Sequence, residues 1–260
     1  MNTNPRLKRL IPLVIGAAAV TVTTQAGGNE EEEFEEAQLY FELNNTDGDL
    51  GIHGLIDGEA WKTLSIEDPN ETVLMQVVAR SRIRRQGLTE IFFESAEPTF
   101  DELSPTRFFN RFPEGIYEIE GLTLDGVELE SEVELSHTMA APVGNLTVNG
   151  DLIEEGCDEP LASFSAPILV DWNPVTMSHP DLGNTGEAVT VQQYEVVGEI
   201  EREGKTPELL EMSVILPRNR TQFRFPTSFT SLSDGEFKFE VITKLDNGNQ
   251  TATEACIEIE

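Results

Sequence analysis

The chain has 260 residues, with 17 Lys plus Arg against 48 Asp plus Glu and a formal net charge of −31. Residues 1–26 hold three of the basic side chains and no acidic one, so the remainder carries 14 basic and 48 acidic groups, a charge of −34. A field of that sign repels phosphate backbones and anionic headgroups, which excludes nucleic acid and disfavours a membrane surface, and it favours divalent cations, basic proteins or a saline medium.

In chain order, Arg6, Lys8 and Arg9 precede an uncharged, mostly apolar run from Leu10 to Val22, and Thr24-Gln25-Ala26 supplies small residues before Gly27. This pattern predicts a secretory signal peptide over residues 1–26. A membrane anchor is the alternative, but the run is shorter than the about 20 apolar residues that a spanning helix needs. The expected product is exported, to a bacterial periplasm or the medium, with no membrane insertion after cleavage. Residues 27–36, almost all glutamate from Glu30 onward apart from Phe34, read as a flexible acidic leader because like charges repel and stay solvated.

Residues 37–140 read as a first β-rich domain. Leu39, Phe41 and Leu43 alternate with Tyr40 and Glu42 as in a half-buried strand. Residues 44–58, rich in Asn, Asp and Gly, predict tight turns. Further strands are expected at Trp61 to Glu67, Val73 to Arg84 and Leu88 to Glu94. Ser104 as N-cap, Pro105 at the first helical position and Phe108, Phe109 and Phe112 on one side predict one short helix that plugs the end of a sandwich.

A hairpin follows. Tyr117 and Ile119 on one strand, and Val127, Leu129, Val133 and Leu135 on the next, face inward. Glu118 and Glu120, and Glu128, Glu130, Glu132 and Glu134, face outward. A three-residue loop, Leu124-Asp125-Gly126, keeps the faces matched. Glu120 then opposes Glu130 and Glu118 opposes Glu132, at a cost of up to about 1 kcal/mol per like-charged pair. Arg80, Arg82 and Arg84 share one face of the strand expected there and are the favoured compensation, as a cross-strand ladder. An open glutamate face that holds cations and an arginine stripe that captures an acidic partner are the alternatives. This acidic and basic pair is the candidate interaction surface.

Residues 141–260 supply a run of strand segments. Pro142 to Val148 comes first, then Pro167 to Pro174 with Trp172 just before a proline, then Val189 to Glu201 with Tyr194. Leu210 to Leu216 and Thr221 to Phe225 follow. Leu232 to Val241, with Leu232 and Phe237, precedes an Asn247-Gly248 turn and a last strand from Thr251 to Ile259. In this order the segment resembles a fibronectin type III domain, whose strands A, B, C, C′, E, F and G they match, and the resemblance implies an immunoglobulin-like sandwich with Trp172, Tyr194, Leu232 and Phe237 in its core. Phe237 stands where the family usually has Tyr, so the hydroxyl that ties the E to F corner is missing. The segment from Leu232 to Phe237 is also one residue short.

Cys157 and Cys256 are the two cysteines of the chain. In an oxidising compartment an even, minimal count favours one disulfide over two buried thiols.

Catalytic signatures are missing: no Gly-x-Ser-x-Gly elbow, His-Glu-x-x-His helix or phosphate-binding Gly-Lys-Ser/Thr loop occurs. His53, His137 and His179 show no ligand spacing and read as strand or turn residues. Asn45, Asp47 and Asp49 alternate as in a calcium loop, but Leu50 and Ile56 stand where an EF-hand needs Gly and Glu, so a backbone turn is favoured over calcium as a cofactor. The expectation is a mainly β protein of two β-sandwich domains, the first with one short α-helix. Its function is non-catalytic binding or scaffolding, with a protein or glycan of the envelope or extracellular space as partner. The rivals are a hydrolase or carbohydrate-active domain at residues 37–140, with a concave pocket lined by Trp61, Tyr40 and converging carboxylates, and a cation-binding structural protein.

Overall fold

The computed structural model describes residues 31–158, 161–202, 204–233 and 235–260. The expected signal peptide and residues 27–30 of the leader lie outside the described residues. In chain order the strands are β1 (Glu31–Glu32), β2 (Glu36–Asn44), β3 (Asp49–Glu67), β4 (Val73–Val78), β5 (Leu88–Glu94), β6 (Gly115–Thr123), β7 (Glu128–Leu135) and β8 (Thr147–Val148). They continue with β9 (Asp151–Leu152), β10 (Ala162–Phe164), β11 (Leu169–Asp171), β12 (Val191–Glu201), β13 (Leu209–Pro217), β14 (Gln222–Arg224), β15 (Glu236–Leu245) and β16 (Gln250–Ile259). The helices are α1 (Ser81–Gln86), α2 (Pro105–Phe109) and α3 (Thr227–Thr230). The protein is mainly β and built of sandwich-like layers.

The first unit is organised by β3. Its first half pairs β2 on one edge and β5 on the other, and its second half pairs β6 and β4. Trp61 pairs with both Leu88 and Thr123, and the register shifts on either side of it, so the strand changes direction there and feeds two layers. Between the layers lie Leu39, Phe41, Leu43, Ile56, Trp61, Tyr117 and Leu129. The α2 helix caps this core as expected: the rings of Phe108 and Phe109 meet Phe41 edge-on at 5.7 and 5.4 Å.

Four expectations for this unit change. Residues 49–58 are strand and not turn, because the glycines there admit neighbouring side chains. A Cβ at Gly51 would fall 2.7 Å from Glu97 Oε1, and one at Gly54 would fall 2.4 Å from Phe93 Cε1. The strand expected from Val73 to Arg84 stops at Val78, where Ser81 takes a φ of 54° and opens α1, a second short helix. Arg80, Arg82 and Arg84 thus lie at and along an exposed helical turn and form no stripe on a strand. The acidic leader is partly tied down: β1 pairs with β7, Phe34 is buried, and its N–H donates to Ser131 Oγ at 3.1 Å. One aromatic side chain outweighs the self-repulsion of its glutamate neighbours.

The second unit has the strand order of an immunoglobulin-like sandwich. One sheet runs β14-β11-β8-β9 and the other β13-β12-β15-β16. Trp172, Tyr194 and Phe237 are buried in the core between them, and the Trp172 and Tyr194 rings meet edge-on at 5.4 Å. Leu232 is a correction: it is 42% exposed, because the turn after α3 carries it outward. Phe225 and Phe229 pack against Phe237 in its place, at 4.9 and 6.2 Å.

The two units are not beads on a linker. β2 pairs in parallel with β16, Glu42 beside Gln250, Leu43 beside Thr251 and Asn44 beside Ala252. The order β13-β12-β15-β16-β2-β3 therefore crosses both units as one sheet, with β5 on the far edge of β3. Leu43 points into the first core and Thr251, in register with it, shares its side of the sheet with Ala255 and Ile257 of the second. Both cores lie on one side, and the opposite side is a single continuous face.

Candidate functional site

The acidic hairpin forms with the expected register, Glu118 opposite Glu132 and Glu120 opposite Glu130, and Thr123 N–H donates to Val127 O across the three-residue loop. Gly126, at a φ of 98°, supplies the left-handed position that the loop requires. The strand beside β6 is β3, which sets Glu67 next to Glu118. No arginine ladder compensates. Burial and the neighbouring Glu67, Glu130, Glu118 and Glu128 together hold the Glu120 carboxyl above its ordinary range.

Two of the three calcium-loop residues, Asn45 and Asp49, serve separate partners. Asn45 accepts from His179 at 3.1 Å and lies 3.5 Å from Glu155, while Asp49 accepts from Asn44 at 2.8 Å. His179 Nδ1 accepts from Asp181 N–H, so its Nε2 carries the proton given to Asn45. Burial holds the His179 pKa below its usual value, with Asp181 opposing.

These bonds belong to a polar seam between the units. Asn249 is its centre: it is fully buried, accepts from Phe41 N–H at 2.8 Å, and donates to Ser136 O and Thr138 O at 2.7 and 3.0 Å. Thr251 donates to Ala140 O and Thr253 accepts from Val143 N–H. Glu114 gathers donors from His137 N–H and Asn184, both at 2.7 Å. Cys157 and Cys256 form a disulfide beside this seam, and Gly156 bridges to Ala255. The free edge of β16 is thus covered in turn by β2, by the segment around Gly156 and by β10.

The continuous face opposite the cores is the other feature of chemical interest. Its central strands expose little apolar surface: Val197, Ile242 and Ala252 are buried under longer polar neighbours. Lys238 reaches Glu254 at 2.5 Å, Glu240 at 3.4 Å and Glu199 at 3.7 Å, and Lys244 reaches Glu195 at 2.7 Å. Burial pushes the Glu240 carboxyl up to about 7, against the pull of Lys238 and with help from Glu199 and Glu254. For Lys238, burial lowers the pKa but the three carboxylates raise it further, so the net direction is upward.

At the β2 and β3 end of this face a second cluster brings together Glu42, His53 and Glu97. One ligand atom from each lies within 4.8 Å of the others, and His53 Nε2 is 3.2 Å from Glu97 Oε1. Cross-strand register explains the placement, since Tyr40 pairs with His53 and Glu42 pairs with Gly51. Sequence spacing concealed the group: Glu42 and His53 are neighbours only through the hairpin, and Glu97 arrives from the loop beyond β5. Of the two aromatic residues named for the rival hydrolytic pocket, Tyr40 adjoins this cluster and Trp61 lies in the core of the first unit. Trp61 is fully buried and donates Nε1–H to Thr89 O at 3.3 Å, and Tyr40 is buried with its ring against His53.

The chain matches no protein-family model and no curated relative. Among solved structures it is similar to the tetra-tandem repeat of the extending region of a large adhesion protein, at 11% identity and a TM-score of 0.28, over 86% of this chain and 50% of that one. It is similar to a bacterial ice-binding adhesin at 11% identity and a TM-score of 0.24, over 89% and 66% of the respective chains. The human OSCAR ligand-binding domain is similar at 12% identity and a TM-score of 0.27, over 88% of this chain and 100% of that one. The chain thus spans half to two thirds of the two adhesion chains named above, and the architecture stands on the sheets described earlier and not on the superpositions.

Proposed function

We propose that the chain is an exported, non-catalytic binding or scaffolding protein whose two sandwich units act as one rigid piece, the second of them related to the fibronectin type III domain. The observation that carries this reading is the parallel pairing of β2 with β16, which makes one sheet of both units. A protein built to hold surfaces at a fixed spacing gains from such a join, because loss of interdomain freedom is prepaid in folding rather than on binding. The Cys157–Cys256 disulfide fits an oxidising compartment and supports export, as does the basic and then apolar start of the chain. The partner is a protein or glycan of the envelope or extracellular space.

The test is to immobilise residues 27–260 and pass over them purified surface glycans and exported proteins, following retention and product release together. Saturable retention with no product is expected. Time-dependent cleavage of a glycan or ester would overturn the non-catalytic reading, and an exported product that still carries residues 1–26 would overturn the processing.

A further inference from the structure

We propose that Glu42, His53 and Glu97 bind a single divalent cation of borderline hardness, with Zn2+ as the fitting ion. The three side chains offer one imidazole nitrogen and two carboxylate oxygens, all within 4.8 Å of one another. Zinc sites of open type use three protein ligands of these kinds and leave a remaining position for water. Calcium wants six to eight oxygens and does not seek imidazole, so this donor set is wrong for it. The site is distinct from the Asn45, Asp47 and Asp49 turn.

Preorganisation supports the assignment. Glu42 and His53 sit on paired strands and are 6% and 1% exposed, so neither wanders. The rings of Tyr40 and Phe92 flank His53 at 5.3 and 6.1 Å and fix its plane in an apolar setting, where the attraction of a dication for two carboxylates is least screened. Gly51 is the independent observation. It stands opposite Glu42 and two residues before His53, and a Cβ there would lie 2.7 Å from Glu97 Oε1 and 2.8 Å from its Cγ. A strand interior gains nothing from glycine by itself, and here the missing side chain is what lets the third ligand into the cluster. The metal would staple β2, β3 and the loop after β5 at the edge of the shared face.

The experiment uses residues 27–260 stripped with a chelator and titrated calorimetrically with Zn2+, with Co2+ as a spectroscopic probe of imidazole ligation. About one equivalent is expected, with a visible Co2+ band and a rise in Tm on adding Zn2+. Glu97→Gln and His53→Gln should each weaken binding by at least about tenfold. Gly51→Ala should do the same without removing a ligand, and it should keep the metal-free Tm, because the added Cβ meets the Glu97 side chain and no backbone. Glu211→Gln, an exposed carboxylate on β13 at the far end of the sheet, should leave binding unchanged. Two results would sink the site: absence of stoichiometric binding, or several weak equivalents that vanish in monovalent salt and ignore Gly51→Ala and Glu97→Gln. Displacement of Zn2+ by equimolar Ca2+ would overturn the class of ion. None of these outcomes bears on the binding-module reading, which rests on the sheet.

Discussion

At the scale of single residues, ionisation behaviour follows burial more than it follows the overall charge. Glu240 shows this. Its folded carboxyl titrates near 7 against an ordinary 4.5, chiefly because it is buried. Above pH 7 the folded and unfolded chains both carry its charge, and the folded state bears the desolvation cost. As pH falls, the folded chain takes up the proton first, so stability from this group rises between about pH 8 and pH 4.5 and is then complete. The full effect is about 3 kcal/mol. Glu240→Gln should remove it, so the variant should be the more stable protein at pH 8 and close to wild type at pH 5, as read by urea unfolding. His179 has the opposite sign: its pKa is lowered by burial, so its contribution is present above pH 6.5 and is lost at more acid pH. Comparing variant with wild type cancels that term. Neither group announced itself in the sequence, because burial of a polar side chain, Glu240 on the sheet face or His179 in the seam, is set by neighbours that fold over it from elsewhere in the chain.

Among elements, the hairpin of β6 and β7 was the most legible. Alternation with period two dictates which side chains share a face, and the loop length fixes the register, so Glu120 opposite Glu130 follows from the sequence and appears in the structure. The relief of its repulsion did not follow. Arg80, Arg82 and Arg84 alternate as strand residues do, but Ser81 turns the chain and the arginines point to solvent from α1. The hairpin therefore keeps its strain. Glu130→Gln should raise stability by up to about 1 kcal/mol at low ionic strength, and the gain should shrink at high salt. Equal effects in both salts would show that the charges do not interact across the strands. β3 was misread for a different reason: glycines that signal turns in isolation here make room for Glu97 and Phe93, and such close approaches depend on residues more than 30 positions away. Leu232 failed likewise, displaced by Phe229 of α3 and by Phe225, the residue after β14.

For the whole molecule, the join between the units was invisible in the sequence, because a parallel ladder uses backbone atoms that any residue supplies. Asn249 is the side chain on which that join turns: its loss would strand the buried Phe41 N–H and take the donor from Ser136 O, while Thr138 O keeps its bond from Asn247. Asn249→Ala should cost about 2 to 4 kcal/mol. The two tryptophans lie one in each unit, so fluorescence of Trp61→Phe and Trp172→Phe variants reads the units separately. Their unfolding midpoints should coincide in urea and move down together when Asn249→Ala is added. Separate midpoints would mean that the units fold independently and the shared sheet is a mere contact.

The parallel sense of β2 and β16 has a mechanical meaning. A pull applied through Glu36, where β2 begins, and Ile259, where β16 ends, drags the two strands past each other along their length. The hydrogen bonds between them are then loaded in shear, all at once, instead of being unzipped one after another. Under tension the joint between the units becomes a clamp.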